Sequence, residues 1–377
     1  MTSSCDVLIL GGGIVGAACA MECALAGMKV IVVEADVVGG GATAAGMGHI
    51  VVMDDSPEQL ALTQYSQQLW NQIAAELPDD VEYEKTGTIW VAANEEEMLE
   101  VNRKHALYSQ CGLPLRILDA GELAHEEPNL RPGLAGGLLV EDDAVVYPPC
   151  AALYFLQRAM QAGARLISQT ALQASQGEVV LKSGETLTAP RIVNALGASA
   201  AAITPDLPIR PRKGHLAITG RAPGFVRHQL VELGYIRSAG SGTADSVAFN
   251  VQPRKTGQLL IGSSRQYDAN HPGIDHAILQ QMLRQTLLYM PSVQPLTVLR
   301  TWTGFRAATA DKLPLIGPHP QDTSLYLATG HEGLGITTSL ATAKILRHIF
   351  TGSSIDIPIE PYLPSRLIST RSEVQYV

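Results

Sequence analysis

The chain has 377 residues, 46% of them hydrophobic, with 27 Lys and Arg against 36 Asp and Glu for a net charge of -9. That length suits two domains, or one domain with a large insertion, and an acidic chain without a long basic run argues against a nucleic-acid partner. No stretch is apolar for long enough to span a bilayer.

The opening "MTSSCDVLILGGG" lacks the basic region and cleavage site of a signal peptide. Cys5, Cys19, Cys23, Cys111 and Cys150 are odd in number and form no C-x-x-C pair, so they are expected as small buried thiols in a reducing, cytoplasmic setting.

The run Val7 to Leu10 predicts a strand buried on both faces. Gly11, Gly13 and Gly16 follow as G-x-G-x-x-G. Ile14, Ala17, Ala18, Met21 and Leu25 then share a helical face, and Gly27 stands where a helix ends. A second buried strand, Val30 to Val33, runs into Glu34. This is the order a dinucleotide requires. The first glycine permits a tight turn, the second lets backbone approach a pyrophosphate, and the third lets the helix pack on the strand. Free N–H groups at the helix start face the negative charge. Glu34 is placed to accept hydrogen bonds from ribose hydroxyls, and its charge disfavours a 2′-phosphate.

Beyond Glu34 the chain is almost without bulk. Gly39, Gly40, Gly41, Ala42, Thr43, Ala44, Ala45, Gly46 and Gly48 would let backbone pass beside a pyrophosphate and under a large ring, with the Thr43 hydroxyl available to a phosphate. FAD needs more such approaches than NAD. Two later glycine clusters supply them. One is a strand, Ile192 to Ala195, ending at Gly197. The other is a strand, Leu325 to Ala328, running into Gly330, Gly333 and Gly335. The helix after Gly335 is expected to pack through Ile336, Leu340, Ala343, Ile345 and Leu346, with its positive end toward the ligand.

Between these pieces lie different patterns. "GTIWVAA" reads as a strand and "EEEMLEVNRKHALYSQ" as a polar-faced helix ending near Gly112. "SVAFNVQP" and "QLLIGSSR" read as paired strands around "RKTG". The tail after about Pro358 is expected on the surface.

Taken together, "GATAAGMG", "RIVNALGAS", "IRPRKGHL", "RTWTGFRAATADKLPLIG" and "GHEGLGITTS" resemble the FAD-dependent D-amino-acid oxidase and glycine oxidase family over nearly the whole chain. That family includes sarcosine oxidases and bacterial D-hydroxyproline dehydrogenases. "GGGATAAGMGHIVVMDD" and "GSSRQYD" are most similar to the last branch. The resemblance implies an α/β fold: a Rossmann-type FAD-binding domain interleaved with an α+β substrate domain built on a mixed or antiparallel sheet. Residues 1–84, 145–213 and 300–355 would form the first, residues 85–144 and 214–299 the second, and 356–377 a C-terminal tail.

The resemblance also implies a reaction and a site. A small, cyclic or secondary D-amino acid such as cis-4-hydroxy-D-proline would pass a hydride from Cα to flavin N5 and leave as the imine. The electron acceptor would be a quinone, a partner subunit or oxygen, and the protein a homo- or hetero-oligomer. A glycine- or sarcosine-type oxidase producing peroxide, and a flavin subunit of a hetero-oligomeric complex, are the alternatives. Arg306 matches the carboxylate-binding arginine, whose planar fork suits a carboxylate, although Ala307 stands where the family often has Pro. Met47 and His49 would border the ring's reactive edge; His49 reads either as a substrate or flavin contact or as a structural histidine. Ala248 and Asn250 fall where glycine oxidases carry a His and a Tyr. Tyr235 and Tyr267 are pocket or core aromatics, and His331 acts through its backbone. The cofactor set is Gly11, Gly13, Ile14, Val15, Gly16, Glu34, Ala35, Gly41, Ala42, Thr43, Gly46, Met47, Gly48, Gly197, Gly304, Arg306, Gly330, His331, Gly333, Leu334, Gly335 and Ile336. FAD would be non-covalent, because Thr303 to Asp311 contains no Cys. No metal site is expected.

Overall fold

The structure, a computed structural model, describes residues 4–234, 245–267, 269 and 271–368. Tyr235 lies outside them. The chain divides into two compact units. The first comprises Met1–Val81, Tyr147–Pro211 and Phe305–Val377, and the second Glu82–Val146 and Arg212–Gly304.

The first unit is built on a six-stranded sheet. Its strands run in the order Leu315–His319, Asp322–Thr329, Ile192–Asn194, Val7–Leu10, Val30–Glu34, Arg165–Ser168. All neighbours are parallel except the first pair. The central Val7–Leu10 strand is fully buried, as its continuous apolar run requires. The helix Ile14–Leu25 follows and is buried on nearly all sides, with Gly16, Cys19, Ala20 and Cys23 as enclosed as the expected face. Leu25 departs from expectation. It is 52% exposed, as the last residue of the helix. Gly27 takes φ +84° and its N–H bonds back to Ala24, closing the helix as read.

The helix Gly335–Thr351 buries Ile336, Leu340, Ala343, Ile345 and Leu346 as expected. The stretch after Glu34 is not plain loop, since Gly41–Ala45 forms a short helix. The tail also differs from expectation up to Ile368. Tyr362 is buried and its hydroxyl donates to the Glu58 carbonyl at 2.8 Å, while Arg366 pairs with Asp311. An aromatic ring and a cation with partners in the same unit hold this segment down. None of the five cysteines is in a disulfide; Cys5, Cys19 and Cys23 are buried, Cys111 and Cys150 only partly.

The second unit is built on an eight-stranded sheet. Its strands run Val298–Ala308, Arg210–Thr219, Leu259–Arg265, Ser246–Pro253, Gln229–Glu232, Thr88–Ala92, Gly136–Val140, Leu115–Asp119. "SVAFNVQP" and "QLLIGSSR" pair antiparallel as read, and Gly257 takes φ +86° in the turn between them. Ile89, Val91, Leu230, Phe249, Val251 and Ile261 share one face in a core with Met282 and Tyr289 of the helix His276–Tyr289. The opposite face carries Trp90, Val231 and Asn250 in one row, by the register of three adjacent strands. The helix Glu95–Gln110 is less polar-faced than its sequence suggests. Lys104 is 1% exposed, with its ammonium 4.7 Å from the Trp90 ring centre.

Candidate active site

Three glycine-rich segments of the first unit converge. The turn at Gly11 has φ +103°, and a Cβ there would sit 2.7 Å from the Ala195 carbonyl. A Cβ on Gly16 would lie 2.0 Å from the Gly11 carbonyl, so the helix meets the turn at a distance only glycine allows. Next to it, the Ile14 N–H donates to Thr43 Oγ1 at 3.1 Å, tying the first helix start to the Gly41–Ala45 helix. A Cβ on Gly13 would meet the same oxygen at 3.3 Å.

The third segment closes the group. A Cβ on Gly46 would lie 2.7 Å from Ile336 Cδ1, and one on Gly335 would lie 3.7 Å from Val15. The helix starts at Ile14 and Gly335 are therefore neighbours. At Gly41 and Gly197, by contrast, an added Cβ would meet nothing within 4 Å. Backbone lies bare at these two positions.

Glu34 does more than its spacing suggests. Its Oε2 accepts the Gly12 N–H at 2.6 Å and its Oε1 accepts the Asp36 N–H at 2.9 Å. Gly12 was not among the expected residues, although it is an x position of the motif beside the strand that ends in Glu34. Ala35, next to Glu34, is exposed.

Arg306 lies near the end of the strand Val298–Ala308, within the first unit. A Cβ on Gly333 would meet its Nε at 3.4 Å, so Arg306 borders the loop that leads into the Gly335–Thr351 helix. The backbone there is pinned where the Glu332 N–H donates to the Ala307 carbonyl at 2.9 Å. The family's usual Pro has no N–H, but this bond uses only the carbonyl, so Ala307 keeps the same acceptor. Gly304, two residues earlier, falls in the second unit.

Met47 is buried, Gly48 takes φ +100°, and His49 is partly buried with Nε2 sealed from solvent. Burial and the positive charge of Arg306 push the His49 pKa down to about 3. His49 is thus a neutral imidazole beside a cation. His331 engages through both its backbone and its ring. Its carbonyl accepts the Leu334 N–H at 2.9 Å, but its ring also acts, since Nε2 lies 2.9 Å from Thr342 Oγ1. Burial pushes its pKa to about 3. Thr342 donates to the Thr338 carbonyl, so it accepts from His331 Nε2–H, which fixes the tautomer. Gly330, with φ +79°, has no room for a Cβ, which would fall 2.7 Å from Thr309 Cγ2.

In the second unit, Ala248 and Asn250 lie opposite the apolar core. Asn250 is 9% exposed, and its Oδ1 has no hydrogen-bond partner among the described residues. Tyr267 receives a hydrogen bond from Arg212 at 3.1 Å and stacks near its guanidinium. Among the described residues no cluster of side chains could hold a metal ion, and no helix is long and apolar enough to cross a membrane.

Residues 6–349 match the family described as FAD dependent oxidoreductase, DAO. The chain is 28% identical over 384 residues to a glycine oxidase of Geobacillus kaustophilus, covering 98% of each chain. It is 24% identical over 423 residues to the hydrogen cyanide synthase subunit HcnC of Pseudomonas aeruginosa, covering 97% of each. The crystal structure of glycine oxidase from Geobacillus kaustophilus superposes with a TM-score of 0.87 at 25% identity, over 97% of this chain and 100% of that one.

Proposed function

The chain belongs to the FAD dependent oxidoreductase family DAO, and from that premise we propose that it oxidises a small amino acid, with a cyclic or secondary D-amino acid such as cis-4-hydroxy-D-proline as the preferred class. FAD, when bound, supplies the two-electron acceptor for the hydride that leaves the substrate Cα. The residues that would hold it are the Gly11–Gly16 turn, Glu34, the Gly39–Gly48 stretch, Gly197 and the start of the Gly335–Thr351 helix. Thr43 Oγ1 accepts the Ile14 N–H, and a hydroxyl in that state still has its own proton to donate to a phosphate.

The observation that carries the amino-acid reading is Arg306 at the loop leading into the Gly335–Thr351 helix, where a Cβ on Gly333 would meet its Nε at 3.4 Å. The planar guanidinium of Arg306 suits a substrate carboxylate, held by two parallel bonds. Fixing the carboxylate orients Cα, and orientation is the main requirement of the reaction. His49, neutral through the physiological range, offers hydrogen bonding without a second charge. The cyclic or secondary D-amino acid is supported by the stretches "GGGATAAGMGHIVVMDD" and "GSSRQYD", which resemble the D-hydroxyproline dehydrogenase branch. A glycine- or sarcosine-type oxidase is the second reading, favoured by the 28% identity to a glycine oxidase. A subunit of a larger dehydrogenase is the third, favoured by the similarity to HcnC over 97% of the chain.

An anaerobic titration with cis-4-hydroxy-D-proline, glycine and sarcosine tests the three. Bleaching of the visible flavin band by the cyclic substrate alone is the expected result. Bleaching by glycine or sarcosine, with peroxide formed in air, would replace the first reading by the second. No bleaching without a co-purifying partner would favour the third.

A further inference from the structure

The first turn of the Gly335–Thr351 helix is held from outside by buried side chains of the helix Pro57–Ile73. The Ser66 hydroxyl donates to the Thr337 carbonyl at 2.6 Å and accepts the Ala341 N–H at 3.2 Å. These are the two groups that an α-helix pairs with each other, i to i+4. Ser66 therefore bridges one rung of the helix ladder, a known cause of helix bending. Trp70 Nε1 donates to the same carbonyl at 3.1 Å. Ser66 and Trp70 are both fully enclosed.

Thr337 passes the constraint on. Its hydroxyl donates to the His49 carbonyl at 2.8 Å and accepts the Val51 N–H at 3.3 Å. One side chain thus fills the place of a strand neighbour for the segment that carries His49.

We propose that Ser66, acting with Trp70 and Thr337, is a positioning group for the redox centre: it sets where the first turn of the Gly335–Thr351 helix and the His49–Val51 segment stand relative to the flavin. This rests on the FAD placement proposed above. Helix-start N–H groups carry partial positive charge and favour the more negative, reduced flavin. With Ser66 removed, Thr337 and Ala341 close their own rung, the first turn relaxes away, and reduction becomes harder.

The test is the flavin midpoint potential of the FAD-loaded protein, measured together with its thermal midpoint. Ser66→Ala is expected to lower the potential by about 30 mV or more, a tenfold shift for a two-electron couple. Ser66→Thr keeps the hydroxyl and is expected to restore it. Should Ser66→Ala fail to fold, Trp70→Phe carries the test; it removes one donor to the same carbonyl and should shift the potential the same way by less. A lower thermal midpoint with an unchanged potential in the folded variant would overturn the proposal and leave Ser66 a packing residue. Leu334→Asp separates this from the underlying reading. It puts a carboxylate at the N-cap, where Asp is well tolerated. If the potential ignores that charge, the helix does not face the flavin and the FAD placement fails. If Leu334→Asp lowers the potential and Ser66→Ala does not, only the Ser66 proposal fails.

Discussion

The Glu34 carboxylate accepts the Gly12 N–H at 2.6 Å across 22 residues of chain. One acid therefore ties the end of the second strand to the glycine turn and stands where a ribose would be read. Glu34→Ala removes an acceptor for two backbone N–H groups as well as that ribose contact. Charge-assisted hydrogen bonds are worth about 1.5–3 kcal/mol, so FAD affinity should fall by about one to two orders of magnitude. Fluorescence of FAD released on dilution measures it, and an unchanged dissociation constant would remove Glu34 from the ribose site.

Gly16 admits no side chain. A Cβ would sit 2.0 Å from the Gly11 carbonyl oxygen, which is backbone and has little freedom to yield. Gly16→Ala should destabilise the protein by at least about 1–3 kcal/mol and yield apoprotein after dialysis. A yellow, stable Gly16→Ala protein would show that the turn is not the tight contact described.

Arg306→Leu should keep the flavin and lose the reaction. Two carboxylate bonds at the magnitude above correspond to a drop in kcat/KM of about 10²-fold or more. Arg306→Lys keeps the charge without the planar fork and should fall between. A Leu variant with wild-type efficiency would place the substrate carboxylate elsewhere.

His331 gives stability a pH dependence of known sign. Its folded pKa, about 3, lies below the ordinary 6.5. The folded state therefore excludes a proton that the unfolded chain binds. Stability is complete above pH 6.5 and declines as pH falls toward about 3, by up to about 1.4 kcal/mol per pH unit from this group. His49 adds a decline of the same sign. Denaturant unfolding at several pH values should show His331→Gln with a shallower acid slope than wild type. Parallel slopes would mean that the His331 ring is protonated in the fold.

Much of the first unit was legible because its signals are local. Four buried residues, three glycines at fixed spacing and an acid at a strand end each follow from short-range sterics and charge, and Val7–Leu10, Ile14–Leu25 and Val30–Glu34 form where the pattern places them. The packing face of Gly335–Thr351 was readable for the same reason. Leu25 misled, because a helical face does not say how far along the helix its packing continues. Tyr362 misled because a tail looks free until its ring finds a cavity.

The chain's composition and short motifs determined by themselves a dinucleotide turn and two later glycine-rich segments that follow strands. Only the tertiary structure decided which of these meet. The Val15–Gly335 and Gly46–Ile336 approaches, and the Thr337 bond to His49 across 288 residues, join groups with no mutual spacing in sequence. The placing of Asn250 in one row with Trp90 and Val231, on the sheet face opposite the core, was likewise set by strand order. The physical reason is that side-chain pattern encodes which face an element buries, whereas the partner on that face is chosen by packing among all the elements at once.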